Sequence, residues 1–161
     1  MSDAAGARTH LIFGLAEEHY ATPVTEVEEV LEWQPVTVVP RCPEYLLGII
    51  NVRGSLIPVL DLRLRFGMTT GDGTILVVRM THGAERIQMG LVVDAVEGVV
   101  DIPADDLEPP PAIGQGIDTA AIDGVARHGE RLLLVVNADA ILTREQLDAD
   151  FDALDAMRND R

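Results

Sequence analysis

Apolar and polar positions along the chain fall into many short runs, most of them too brief for helices. "THLIFGLAEEHYATPV" alternates over two stretches that meet at Glu17-Glu18, which predicts a hairpin whose second strand ends at Pro23 or lies at an edge. "GIINVRGSLIPVLDL" reads as strand, glycine turn, strand, and "IDGVARHGERLLLVVN" repeats that plan. "TILVVRM", "ERIQMGLVVD" and "VEGVVDIP" supply further strands, and "GDGTIL" reads as a hairpin turn before the first of them. "VTEVEEVLEWQPVTVVP" stays open: Val24, Val27 and Val30-Leu31 fit a helical face, while the β-branched residues and Pro35 oppose a long helix. "PADDLEPPPAIGQG" is a stiff, proline-rich connector.

One helix is expected, over residues 143–157. Thr143 and Gln146 form a capping box, Leu142 and Leu147 the hydrophobic staple, and Leu147, Phe151 and Leu154 one apolar stripe. There is also an internal echo. "GIINVRGSLIPVLDLRL" and "GVARHGERLLLVVNADAIL" each run glycine, strand, glycine turn and apolar strand, then Asp61 or Asn137 ahead of a possible helical turn. Many evenly spaced short strands predict an all-β barrel or sandwich.

Charge narrows the function classes. The chain has 27 acidic residues against 12 basic ones, a net charge of −15, and every basic residue is arginine. Such a surface repels phosphate backbones and anionic lipids, so neither nucleic acid nor membrane insertion is expected. No secretory leader or membrane-length apolar run is visible, which points to the cytoplasm. The single Cys42 excludes an internal disulfide and multi-cysteine metal sites.

Catalytic chemistry finds little support. Ser55 in "RGSLI" is no nucleophile elbow, and Cys42 in "PRCPEY" has only Arg41 to make its setting electropositive. His10, His19, His82 and His128 are scattered and fit surface positions better than a ligand set. "DADFDALD" places Ala153 where a calcium loop needs glycine. No cofactor and no metal is expected.

The run "P-x-x-P-x-Y-L-L-G-I-I-N-V-R-G-S-L-I-P-V-L-D-L" over 40–62, after "LIFGLAEEHYATPV" and "VEEVLEW" and before "GLVVDAVEGVV" and "LLLVVN", resembles the CheW family of chemosensory adaptors. The resemblance implies two small SH3-like five-stranded β-barrels packed together, with the C-terminal helix laid across them. It divides the chain into a flexible arm (1–8), a CheW-like domain (9–147), the helix (143–157) and a tail (158–161). It implies no catalysis. The expected partners are the regulatory domain of a CheA-type histidine kinase, the cytoplasmic tip of chemoreceptors, and other CheW-like domains in array rings.

The resemblance also nominates interface residues. Arg53 and Glu29 match the family's interaction surface and are expected to pair. Val27, Val30 and Gly54 are candidates for its apolar centre, although Val27 and Val30 serve equally well as core. Asp94 and Val96 match a strand pair near the groove between the barrels. Two other readings stand beside this one: a CheW-like scaffold for pili, gliding or second-messenger control, and a small acidic hydrolase.

Overall fold

The computed structural model describes residues 7–40, 43–68, 71–82, 84–110, 121–142, 146 and 152. Eleven strands make up most of it: β1 (Ala7–Leu15), β2 (Glu18–Pro23), β3 (Val27–Leu31), β4 (Thr37–Val38), β5 (Leu46–Val52), β6 (Ser55–Asp61), β7 (Thr74–His82), β8 (Glu85–Val93), β9 (Ala95–Pro103), β10 (Ile122–His128) and β11 (Arg131–Val136). A short helix, α1 (Leu62–Arg65), follows β6. Of the expected N-terminal arm, residues 1–6 lie outside the described residues, and Ala7 and Arg8 already belong to β1. The expected C-terminal helix also lies outside them, apart from Gln146 and Asp152, whose backbones are helical.

The strands form a five-stranded sheet, ordered β10-β11-β2-β1-β9, and a six-stranded sheet, ordered β3-β7-β8-β6-β5-β4. Neither closes. The expectation of two five-stranded barrels is therefore corrected to two open, packed sheets of unequal size. Closure needs a hydrogen-bonded ladder between the terminal strands. In the first sheet, β9 runs into a 3-10 turn at Ala104–Asp106, and among the described residues only the isolated Glu108–Val125 bridge then reaches β10. In the second, β4 is two residues long and pairs with β5 alone among the described residues.

Among the described residues the chain crosses between sheets twice. From β2 it passes to β3 through a 3-10 turn at Val24–Glu26, opened by Pro23. It returns at Asp94, the single residue between β8 and β9. The segment left open between helix and strand resolves into that 3-10 turn and β3, as its β-branched residues favour.

Alternation along the strands explains why so many read as unbroken apolar runs. On β7, Leu76, Val78 and Met80 face the main core between the sheets, while Ile75 and Val77 face a second cluster with Ile57, Val59 and Val92. On β11, Leu134 and Val136 face the main core, while Leu133 and Val135 join Ile12, Ala21, Ile102 and Ala126 in a third. These inner strands thus bury residues on both faces and lose the polar half of their pattern. Bulges at Ile12/Phe13, Val27/Glu29, Leu46/Gly48 and Ile122/Gly124 bend the strands around these outer clusters. At Gly48 the bend brings β4 so close that a Cβ would lie 1.9 Å from the Thr37 carbonyl oxygen.

The internal echo is structural. β5–β6 and β10–β11 are antiparallel hairpins, and the second strand of each then pairs in parallel, β6 with β8 and β11 with β2. Each ends on an Asx cap: Arg63 N donates to Asp61 Oδ1 at 2.9 Å, and Asp139 N donates to Asn137 Oδ1 at 3.0 Å.

In the main core Tyr20 lies between Phe13 and Phe66, with centroid separations of 6.0 and 6.1 Å. Its hydroxyl is buried and finds no partner among the described residues. Burial, reinforced by Glu18, pushes its pKa up to about 12. An unmatched buried hydroxyl is destabilising, so Tyr20→Phe, which keeps the aromatic stack, is expected to raise unfolding free energy by about 1 kcal/mol. Urea denaturation checks this; a loss of stability would show that the hydroxyl is satisfied.

Candidate protein interface

The β5–β6 hairpin is closed by Arg53 and Gly54 alone. Both have positive φ, 51° and 89°, the signature of the two-residue turn that matches strand twist. Glycine takes this conformation freely and arginine does not, so Arg53 is held in a costly shape at an exposed tip. Asn51 Oδ1 accepts from Gly54 N at 2.9 Å and secures the turn.

From that tip the Arg53 guanidinium, 72% exposed, grips Glu29 of β3 with both ends. Nη1 donates to Oε2 at 2.9 Å and Nη2 to Oε1 at 2.5 Å. Hydrogen bonding to Arg53 draws the Glu29 carboxyl below its ordinary value, and the same contact raises the arginine. Glu29 rather than Glu28 pairs here because the Val27/Glu29 bulge inserts Glu28 as an extra residue. Glu28 accepts instead from Arg79 Nε and from Gln88 Nε2, the latter at 2.6 Å, while Glu26 accepts from Arg86 at 3.0 Å. Three glutamates thus tie the edge strand β3 and its preceding turn to β7, β8 and the hairpin.

The other expected residues separate by environment. Val27 is half-buried against the main core, whereas Val30 is 47% exposed. Gly54 stands in open space. Leu56, two residues past the hairpin tip, and Trp33, two past the end of β3, are also exposed. Val96 packs partly on the main core. Asp94 is a clasp: Oδ1 accepts from Arg63 Nη1 at 2.7 Å and Oδ2 from Ala16 N at 2.7 Å, and its own N–H donates to Gly14 O at 2.9 Å.

Arg63 is the residue that sequence reading passed over. It is 4% exposed, beside a fully buried Asp61. Nε and Nη2 donate to the two Asp61 carboxylate oxygens at 3.1 Å each, Nη2 to Gly71 O at 2.5 Å, and Nη1 to Asp72 O at 3.2 Å. Burial opposes its charge, but hydrogen bonds to Asp61 and Asp94 more than offset that and raise its pKa. "GDGTIL" is accordingly not a hairpin turn; Gly71 and Asp72 wrap the guanidinium ahead of β7. The signal was "DLRLR", where an aspartate cap precedes two arginines in a one-turn helix between apolar leucines.

His10 is buried, against the expectation of surface histidines, and His19 Nδ1 lies 2.7 Å from Glu97 Oε1. Among the described residues no three His, Cys, Asp or Glu side chains converge as metal ligands, and no helix is long and apolar enough to cross a membrane. Cys42 lies outside them.

The family model for the CheW-like domain matches residues 9–146. The chain belongs to the CheW family. It is 30% identical over 140 residues to chemotaxis protein CheW of Klebsiella aerogenes, covering 85% of this chain and 82% of that one. Protein FrzA of Myxococcus xanthus is 36% identical over 131 residues, 78% and 72% of the two chains. The crystal structure of the scaffolding protein TtCheW from Thermoanaerobacter tengcongensis superposes with a TM-score of 0.76 at 33% identity, covering 86% of this chain and 96% of that one. As a CheW-family member the chain is a non-enzymatic adaptor of chemotaxis signalling, which sets aside the hydrolase reading.

Two outcomes follow from this geometry. Arg63→Met takes the guanidinium away from the buried Asp61 carboxylate and is expected to cost about 3–5 kcal/mol in urea unfolding; a change below 1 kcal/mol would deny the network its structural role. The Glu29 carboxyl is expected to titrate below the ordinary 4.5, and to return towards it in Arg53→Asn. A depressed folded pKa means that the pair contributes above the unfolded value and is lost as pH falls through the folded one. Carbon-13 shifts of the Glu29 carboxyl measure both.

Proposed function

We propose that this adaptor joins the regulatory domain of a CheA-type histidine kinase to the cytoplasmic tips of chemoreceptors. The corner formed by β3 and the β5–β6 hairpin is one of its contact surfaces. The carrying observation is the exposed Arg53–Glu29 pair, presented on a strained hairpin tip beside the exposed side chains of Val30 and Leu56. An exposed ion pair adds little to a fold. Its cost in backbone conformation makes sense if a partner reads it, since rim charges govern rate and partner choice while apolar neighbours supply the desolvated centre. Gly54 leaves room for a partner backbone to approach. Val27 and Val96 contribute by supporting this surface and the region near Asp94 from beneath. Work at the cytoplasmic face of receptors, and contacts with other CheW-like domains in array rings, complete the reading. A scaffold in another chemosensory pathway is the second reading; the 36% identical relative is named FrzA rather than a chemotaxis protein.

Co-sedimentation with receptor and kinase tests this. Arg53→Glu places like charges opposite Glu29 on an exposed turn, and is expected to keep the unfolding midpoint within a few degrees while sharply reducing kinase recovery with receptors. Normal assembly by the folded variant would refute the site. Unfolding of the variant would make Arg53 structural.

A further inference from the structure

The two sheets repeat one plan. The order β9-β1-β2-β11-β10 in the first matches β3-β7-β8-β6-β5 in the second, and the parallel pairs β11–β2 and β6–β8 fix the correspondence. β9 and β3 are then equivalent edge strands, and each carries a bulge at the same place. In β3, Val27 pairs with Val78 and Glu29 with Val77, which leaves Glu28 as the extra residue. In β9, Val96 pairs with Phe13 and Gly98 with Ile12, which leaves Glu97 as the extra residue. Both glutamates are clipped from two strands away. Glu28 accepts from Gln88 Nε2 of β8 at 2.6 Å, and Glu97 Oε1 lies 2.7 Å from His19 Nδ1 of β2. Gln88 and His19 are themselves equivalent, paired with Arg79 and with Gly14. Two residues past each extra glutamate a valine stands exposed, Val30 at 47% and Val99 at 63%.

The halves differ in what lies beside the clip. Gly98 takes the place of Glu29, and Gly129, which opens the β10–β11 turn with φ 64°, takes that of Arg53. Both glycines face open space and line one cleft. The clip thus occurs without the ion pair, so the pair is not what makes the bulge. In β3 the clip has a second arm from Arg79 Nε, and hydrogen bonds from Gln88 and Arg79 draw the Glu28 carboxyl below its ordinary value. Without the bulge, Glu28 would fall opposite Val77 and Glu29 opposite Leu76. Such a one-residue shift turns each side chain to the other face. Val30 is too exposed to resist it by burial. We propose that Glu28, Arg79 and Gln88 are positioning residues, whose clip fixes the bulge that aims Glu29 at Arg53 and so sets the geometry of the contact corner. The role of that corner rests on the function proposed above; its geometry does not.

The test follows the Glu29 carboxyl by carbon-13 NMR across pH in full-chain variants, beside co-sedimentation with receptor and kinase. The Glu28 charge by itself raises the Glu29 pKa, so removing a mere neighbour would lower the Glu29 titration further. Glu28→Ala is expected to do the opposite, moving it up towards 4.5, and to reduce kinase recovery with receptors. Glu28→Gln, whose amide can accept from Arg79 and donate to Gln88, is expected to keep the titration low and assembly normal. Gln88→Ala, at an exposed position, removes one arm and is expected to move the titration up by less than Glu28→Ala. A Glu29 titration that stays low or falls in Glu28→Ala and Gln88→Ala, or Glu28→Gln behaving like Glu28→Ala, would overturn the proposal. A raised titration with normal assembly would uphold the positioning and refute the corner as a contact surface.

Discussion

The Arg63 guanidinium is the buried charge that links the two sheets where they meet at Asp94. Burying such a cation costs several kcal/mol unless its donors are met. Arg63 meets them with the cap residue of its own helix, two carbonyls from the loop before β7, and Asp94. Asp94 is where the chain returns to the first sheet, and its second oxygen holds the β1–β2 turn at Ala16. Helix α1, the loop into β7, the crossing and the opposite turn are therefore one electrostatic unit. The main core packs around it, with the Phe13–Tyr20–Phe66 stack drawing on both sheets.

With the interior charge consumed in this clasp, the remaining ion pairs are free to shape a surface. Glu26 and Glu28 hold β3 and its leading turn against β7 and β8, so an edge strand that would otherwise fray is kept in place. Glu29 alone points to the hairpin and fixes the orientation of Arg53. The division has a physical logic. Buried ion pairs set geometry and tolerate little change, whereas exposed ones cost the fold little and are available to partners.

Strand positions, the Arg53-Gly54 turn and the Asp61 and Asn137 caps were legible because each rests on local chemistry: alternation, glycine and Asx side chains. Pairing of Arg53 with a glutamate of "VEEV" came from the family resemblance. Alternation alone could not separate Glu28 from Glu29, because a bulge shifts the register by one residue. The two closed barrels were implied by the resemblance, and the strand pattern, which allows barrel or sandwich, carries no information on whether the last ladder forms. Arg63, Gly71, Asp72 and Asp94 were missed as a group because they are distant in sequence and each looks like ordinary surface polarity. His10 was missed for a related reason. It sits between Pro23 of β2 and Val100 of β9, neighbours far apart in sequence.

On the proposed reading, a rigid, clasped body presents the β3 and Arg53 corner to partners. Hydrogen exchange of the adaptor, free and assembled with receptor and kinase, tests it most directly. The amides of Ala16, Arg63 and Asp94 are expected to be among the slowest to exchange in both states, while those of β3 and the hairpin tip slow markedly on assembly. Assembly that leaves β3 and the tip unchanged, or that frees the Ala16 and Asp94 amides, would contradict it.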